Sequence, residues 1–213
     1  MSEVRDDLTV LNDIVSVSRE TGERLEAYVA LVRKWQPAEN LISPNTLPEI
    51  WRRHVADSAE LVRLFPDTRR WLDIGTGAGF PGMVVAILGG GPAHVDLVES
   101  NRRKCAFLRQ AIRATAASAT VHEGRGELLI PQWSGPVDRI SARAVAPLAD
   151  LLAICAPLME RGIPAAFHKG ADWRREVEEA RKTWGFDLKT YDTVGAFGTI
   201  LEVGLLRKKA ESG

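Results

Sequence analysis

The apolar positions of this 213-residue chain keep one rhythm up to about residue 70 and another beyond it. After Ser18, the residues Leu25, Tyr28, Leu31, Val32 and Trp35 recur at three- and four-residue intervals, the spacing of one face of an α-helix. Pro37 and the polar AEN behind it end that helix. A second helix is predicted to begin within NTLPEI, with Thr46 as its cap, Glu49 completing a capping box and Pro48 in the first turn. It should run to about Phe65, ahead of Pro66. Ile50, His54, Asp57 and Leu61 share one face of it, so a half-buried His54–Asp57 pair is expected there, linking two elements or joining the helices to the rim of a site.

From Trp71 onward, short strand-like runs alternate with helical ones. Strands are predicted at 71–74, 94–99, 119–122, 137–142, 163–168, 186–191 and 199–207, with helices at roughly 81–88, 101–115, 126–130, 147–159 and 172–184. Such alternation implies a mostly parallel sheet with helices on both faces. The VGAFG segment between the last two runs is too short for a crossover helix, so those strands should pair antiparallel. The expected fold is α/β, a Rossmann-like seven-stranded sheet of the class I methyltransferase type with its last strand antiparallel and an N-terminal helical extension. The expected division is a helical cap over 1–68 and a cofactor-binding domain over 69–213.

Where the rhythm changes, residues 71–87 read WLDIGTGAGFPGMVVAI: a strand, a glycine-rich turn and the start of a helix. Two fingerprints overlap in it. Glycines 77, 79 and 82 satisfy G-x-G-x-x-G, the dinucleotide pattern. Asp73 with Gly75, Gly77 and Gly79 satisfies the acid-x-G-x-G-x-G pattern of S-adenosylmethionine sites. Asp73 would repel a pyrophosphate, and Pro81 removes an N–H that a phosphate would use at a helix start. With the antiparallel tail, these features favour S-adenosylmethionine. Glu99, ending the second strand, is placed to accept hydrogen bonds from ribose hydroxyls, a device NAD proteins share. An NAD(P)-dependent oxidoreductase and a ligand-free packing turn are the competing readings.

Composition narrows the surroundings of that site. No apolar run approaches the ~20 residues of a membrane-spanning helix, and MSEVRDDLTV lacks the apolar core of a secretion signal. Cys105 and Cys155 stand fifty positions apart without metal-ligand spacing, and the four histidines form no cluster, so reduced packing cysteines, a cytoplasmic location and no metal are expected. With 28 basic and 28 acidic residues the formal net charge is zero. That excludes a uniformly basic nucleic-acid coat but leaves room for a local patch. The best candidate is Arg102, Arg103 and Lys104 with Arg109 and Arg113 at later turns. Arg174, Arg175, Arg181 and Lys182 are diluted by Glu176, Glu178 and Glu179 and read as ordinary surface, whereas Arg139, deep on the fourth strand, reads as structural.

Several separate motifs occur in a fixed order: KWQPAENLIS, RRHVADS, DIGTGAGFPG, RRKCAFLR, EGRGE, DRISARA and HKG. In them the chain resembles, over nearly its whole length, the bacterial small-subunit ribosomal RNA methyltransferase G family, also called glucose-inhibited division protein B. The resemblance implies S-adenosylmethionine-dependent methylation of N7 of a guanosine in 16S ribosomal RNA near the decoding centre. It implies 16S RNA or the small ribosomal subunit as partner; no stable protein partner is evident and a monomer is expected. Cofactor contacts are implied at Gly75, Phe80, Gly126, Glu127 and Arg143, and substrate-positioning roles at Asn40, Arg125, Arg143 and Lys169. Gln36 departs from the family's usual Asn, and FGTILEV lacks a basic residue that many members carry. Guanine N7 has an in-plane lone pair, so no general base is expected and the site residues are positioners. A small-molecule methyltransferase whose helical cap closes a substrate pocket is the alternative within the same cofactor class.

Overall fold

A computed structural model describes residues 6–91, 93–194 and 198–209. Its first long helix, α1 (Arg19–Trp35), begins where Ser18 Oγ accepts the Thr21 N–H at 3.2 Å, satisfying a donor that the helix start leaves unpaired. The buried face comprises Leu25, Tyr28, Val29, Leu31 and Val32, while the exposed face carries the Arg19–Glu23 and Glu20–Arg24 pairs.

The second helical stretch departs from expectation. Pro44–Glu49 is a 3₁₀ segment and Trp51–Ala56 a π turn, and only Asp57–Leu64 (α2) is α-helical. Thr46 is not a cap: its Oγ1 lies 2.9 Å from Ser43 O and 2.8 Å from His54 Nε2. The cap comes from far upstream, where the Asp6 carboxylate accepts the N–H groups of Trp51 and Arg52 at 3.1 and 3.0 Å. Pro48 has no N–H to give, and the π turn rotates Asp57 away from the register assumed for an unbroken α-helix. His54 and Asp57 are both buried and, as expected, link separate elements, each with its own partner: His54 with Thr46 and Asp57 with Arg143.

Among the described residues seven strands form one sheet in the order β3-β2-β1-β4-β5-β7-β6. They are β1 (Arg70–Ile74), β2 (His94–Glu99), β3 (Ala119–Glu123), β4 (Arg139–Arg143), β5 (Ala165–Lys169), β6 (Trp184–Asp192) and β7 (Thr199–Lys208). The first five run parallel, and β7 runs antiparallel to both β5 and β6. The expected seven-stranded fold is thus present. Three residues of the VGAFG connection, 195–197, lie outside the described residues. The crossover helices are α3 (Gly82–Leu88), α4 (Arg102–Thr115), the one-turn α5 (Gly126–Leu129), α6 (Leu148–Met159) and α7 (Trp173–Thr183).

Two apolar clusters clothe the sheet. One unites Leu25, Tyr28, Ile50 and Leu61 of the N-terminal helices with Met83 and Ile87 of α3 and Phe107 of α4; the other gathers α6, α7 and the opposite face of β1, β4, β5 and β7. The N-terminal helices share their core with the sheet. Trp35 meets Phe107 edge-on at 5.7 Å between centroids, and the fully buried Tyr28 donates its hydroxyl to Ala78 O at 2.6 Å. Arg139 is structural, as its position suggests: Nη1 is 3.0 Å from Glu202 Oε1 and the guanidinium lies over the Phe65 ring.

Removing the Tyr28 hydroxyl leaves a buried carbonyl short of a donor. Tyr28→Phe is expected to lower the unfolding free energy by about 1 kcal/mol or more, seen as a fall in urea midpoint without a change in slope.

Candidate active site

Parallel strands of an open sheet leave a crevice at their carboxyl ends where the strand order reverses. Here that point lies between β1 and β4, and the glycine loop 75–81 crosses it. Asp73, fully buried near the end of β1, lies beneath the loop. Its carboxylate accepts Ser141 Oγ of β4 at 2.7 Å and the Gly82 N–H at 3.0 Å. Burial outweighs these bonds and lifts its pKa to about 6. The sequence suggests that Asp73 faces a cationic ligand or the network around one; with both oxygens engaged inside the protein, it instead holds up the loop.

Glu99 grips the same loop from the side. One carboxylate oxygen accepts the Gly77 N–H at 2.9 Å and the other the Asn101 N–H at 2.7 Å. Two glycines are required by geometry. Gly75 has φ +61°, and a Cβ there would lie 2.7 Å from Val145 Cγ2. Gly77 has φ +58°, and a Cβ there would meet nothing closer than Gly75 O at 3.9 Å, so it would project into open space beside the loop.

That space is a cavity of about 640 Å³, within the range of small-molecule sites. Asn40, Gly75, Gly77, Phe80, Glu99 and Arg143 line it, six of the residues singled out from sequence. Lys104, from the basic run, also lines it. Its far wall is the segment from Asn40 to Thr46, which Gln36 shapes. The Gln36 side chain accepts the N–H groups of Leu41 and Ile42, both at 3.1 Å, and donates to Ile42 O at 2.7 Å. Gln36 is thus a buried residue that templates the cavity wall. Nothing in the local sequence pattern marks Gln36 for this role, because the bonds close a loop rather than continue a helix.

His54 also lines the cavity, tilted against the Phe80 ring at 5.0 Å. The Thr46 hydroxyl has one hydrogen, which goes to Ser43 O, so His54 Nε2 donates to Thr46. Burial, with Arg143 and Arg53 nearby, lowers the His54 pKa to about 3. Arg143 turns toward the helical segment: Nη2 donates to Arg53 O at 2.6 Å and Nη1 lies 3.3 Å from Asp57 Oδ2. Asp57 thus serves Arg143.

A second cavity of about 450 Å³ opens on the other side of Arg143 and Ala144, between the ends of β4 and β5. Ala144, which lines both cavities, has φ +53°, a strained value for a residue with a Cβ. Lys169 lies here and not in the larger cavity; its Nζ donates to Ala146 O at 2.6 Å and to Glu176 Oε2 at 2.7 Å. Glu176 also accepts the Leu148 N–H at 2.7 Å, so α7 is more than ordinary surface at this residue.

Several expected residues stand apart. Gly79, at φ +95°, turns the loop without lining the cavity. Arg125, Gly126 and Glu127 open α5 behind the edge strand β3 and line neither cavity. Arg125 and Glu127 are exposed, and Gly126 packs against Ile154 and Ile74. In the basic run, Arg103 pairs with Glu39 and Arg109 with Glu123. No group of His, Cys, Asp and Glu among the described residues has the geometry of a metal site, and none of their helices is long and apolar enough to cross a membrane.

Solved structures share the fold. The cofactor-bound Rv0187 from MTB superposes with a TM-score of 0.60 at 18% identity, covering 95% of this chain and 98% of that one. A mutant of MtNAS in complex with S-adenosylmethionine gives 0.59 at 13% identity, covering 85% and 71%. The sheet order, the glycine loop and the cavity beside Glu99 define a class I methyltransferase that uses S-adenosylmethionine. The family model described as rRNA small subunit methyltransferase G matches residues 21–200. Ribosomal RNA small subunit methyltransferase G of Chelativorans sp. (strain BNC1) is 48% identical over 195 residues, 90% of this chain and 92% of that protein. The protein of the same name from Methylorubrum populi is 50% identical over 173 residues, 80% and 82%. The chain belongs to the rRNA small subunit methyltransferase G family.

Two outcomes test this geometry. Gly77→Ala should fold with a loss of about 1–2 kcal/mol for its left-handed backbone, yet bind S-adenosylhomocysteine at least about tenfold more weakly by calorimetry; unchanged affinity would place the cofactor elsewhere. Asp73 holds its proton more tightly folded, with a pKa of about 6, than unfolded, at about 3.9. Its contribution to stability is therefore fully present in acid and is lost as pH rises through about 4 to 6, by roughly 3 kcal/mol. The stability difference between wild type and Asp73→Asn, followed by chemical denaturation, should show that slope.

Proposed function

We propose that this protein methylates N7 of a guanosine in 16S ribosomal RNA near the decoding centre. The observation that carries the reading is that the ionisable side chains lining the two cavities are engaged within the protein or held neutral by burial. Among the described lining residues, His54 is held neutral down to about pH 3, Asp57 is paired with Arg143, Glu99 binds two backbone N–H groups and Lys169 is paired with Glu176. Asp57, Glu99 and Lys169 are thus engaged by partners inside the protein, and burial holds both lining imidazoles, His54 and His168, below their ordinary pKa. A nucleophile that must lose a proton is poorly served by such a site. Guanine N7 loses none.

Bound S-adenosylmethionine supplies an electrophilic methyl on a sulfonium. Asn40, Gly75, Gly77, Phe80 and Glu99 would hold it, with Glu99 keeping lone pairs free for ribose hydroxyls. Arg143, anchored by Asp57 and Arg53, would hold the ridge between cofactor and base. Lys169 would stiffen the 144–148 segment through Ala146 O and Glu176. The work of these residues is to hold the target base in line with the methyl group, a proximity effect worth up to ~7–11 kcal/mol. Family membership supports ribosomal RNA as the substrate, the curated relatives being named for the small-subunit RNA. Exposed Arg102 and Arg125 are available for its phosphates.

The test is transfer of a labelled methyl group to ribosomal RNA or small subunits from a strain lacking the activity, with the modified base mapped by borohydride–aniline cleavage and primer extension. Modification at a guanine N7 is the expected result; transfer to metabolites but not to RNA would select a small-molecule enzyme. With no base to deprotonate, kcat/KM should stay flat between about pH 6 and 9.

A further inference from the structure

His168, near the end of β5, is buried at 7% exposure and lines the smaller cavity. Its Nε2 lies 2.9 Å from the backbone oxygen of Asp57. A carbonyl oxygen only accepts, so Nε2 carries the ring hydrogen. Burial outweighs the nearby Asp57 carboxylate and holds the imidazole pKa below its ordinary value. The ring is therefore neutral near pH 7, and Nδ1 presents a bare lone pair. No donor among the described residues reaches that nitrogen, although it is buried. The polar neighbours differ: Lys169 has Ala146 O and Glu176, Glu176 has the Leu148 N–H, and Asp57 has Arg143. Few buried polar atoms in a folded protein go without a partner, and among those that do here His168 Nδ1 and Arg143 Nη1 both belong to residues lining the smaller cavity, one an acceptor and one a donor.

We infer that His168 Nδ1 is a specificity-determining acceptor for the N1–H of the target guanine, seated in the cavity between β4 and β5. The inference rests on the guanine-N7 reading above. N1 lies on the Watson–Crick edge and N7 on the adjoining Hoogsteen edge, roughly at right angles, so a base with N1–H toward His168 can turn N7 sideways toward the Arg143–Ala144 ridge that borders the larger cavity. The O6 atom, between those two edges, falls on the side where Arg143 offers guanidinium donors. Adenine would meet the same groups with the wrong polarity: its N1 is a lone pair facing a lone pair, and its 6-amino group faces a cation. Enzymes that act on an extruded base read its Watson–Crick edge in this way, and a site built around one hydrogen bond strongly rejects analogues that lack it. Desolvating Nδ1 in the free protein costs stability that base binding recovers.

The test compares methyl transfer to 16S RNA assembled into small subunits, with guanine, inosine or 2-aminopurine placed at the target by splint ligation. Inosine keeps N1–H and O6, whereas 2-aminopurine lacks both. Wild-type protein is expected to accept inosine within about tenfold of guanine and to disfavour 2-aminopurine by about 100-fold or more in kcat/KM. His168→Leu should bind S-adenosylhomocysteine within about twofold of wild type, lose about 100-fold on guanine, and retain less than about tenfold preference over 2-aminopurine. Full discrimination in His168→Leu overturns the assignment while leaving guanine-N7 transfer standing. Failure of wild type to modify guanine overturns both. If His168→Leu does not fold, the wild-type analogue series decides: methylation of 2-aminopurine as fast as guanine, or rejection of inosine, overturns the assignment.

Discussion

A carboxylate buried at the end of the central strand must find hydrogen-bond donors, and much of this molecule follows from how Asp73 finds them. One oxygen takes the Ser141 hydroxyl from β4 and the other the Gly82 N–H at the start of α3. These bonds join the two strands that flank the switch point and fix where the helix begins. The backbone between Asp73 and Gly82 must then close a tight loop, which it does through positive φ at three glycines. Glu99 completes the brace from β2. The loop is held from below and from one side, which leaves its remaining face for a ligand. The raised pKa of Asp73 is the cost of placing that brace in the core.

The N-terminal helices supply what the sheet lacks. A Rossmann-like sheet offers a floor and one wall; here the opposite wall comes from residues 40–46. Three contacts fix the N-terminal region by different physics: the Gln36 amide on Leu41 and Ile42 shapes the wall itself, while the Tyr28 hydroxyl on Ala78 O and the Arg143 guanidinium on Arg53 O and Asp57 tie the helices to the loop and to β4. The last is half-buried and charged, so breaking it would leave an unpaired charge away from water. It also couples the two cavities, because Arg143 lines both. Cofactor side and base side therefore share one rigid divider, reinforced by Ala144 in its strained conformation. For a reaction that needs alignment more than proton transfer, a rigid divider is the useful element.

The sheet was legible in the sequence because its signals are local. Period-two and continuous apolar runs marked all seven strands, and a five-residue connection dictated the antiparallel pair. Gly75, Gly77 and Glu99 fell on the larger cavity for the same reason, because a glycine turn and an acid at a strand end carry their meaning in spacing; Asn40, Phe80 and Arg143 were reached only through the ordered motifs of the family resemblance. The second helix was misread because spacing alone assumed an unbroken α register. Its true cap, Asp6, lies 45 residues before Trp51, and the π turn that separates His54 from Asp57 leaves no mark in a helical pattern.

What the chain determined by itself is the order of strand and helix, the glycine loop and its acids, and the motif series that places it in its family. These depend on neighbours in sequence and on the chemistry of single residue types. Only the tertiary structure decided who partners whom: Asp73 with Ser141 instead of a ligand, Asp57 with Arg143, Lys169 with Glu176, Gln36 with its own loop, and His168 with a carbonyl that leaves one nitrogen bare. Hydrogen bonds and ion pairs are directional and short. Which donor meets which acceptor is therefore settled by the packing of distant segments, and no periodicity records it.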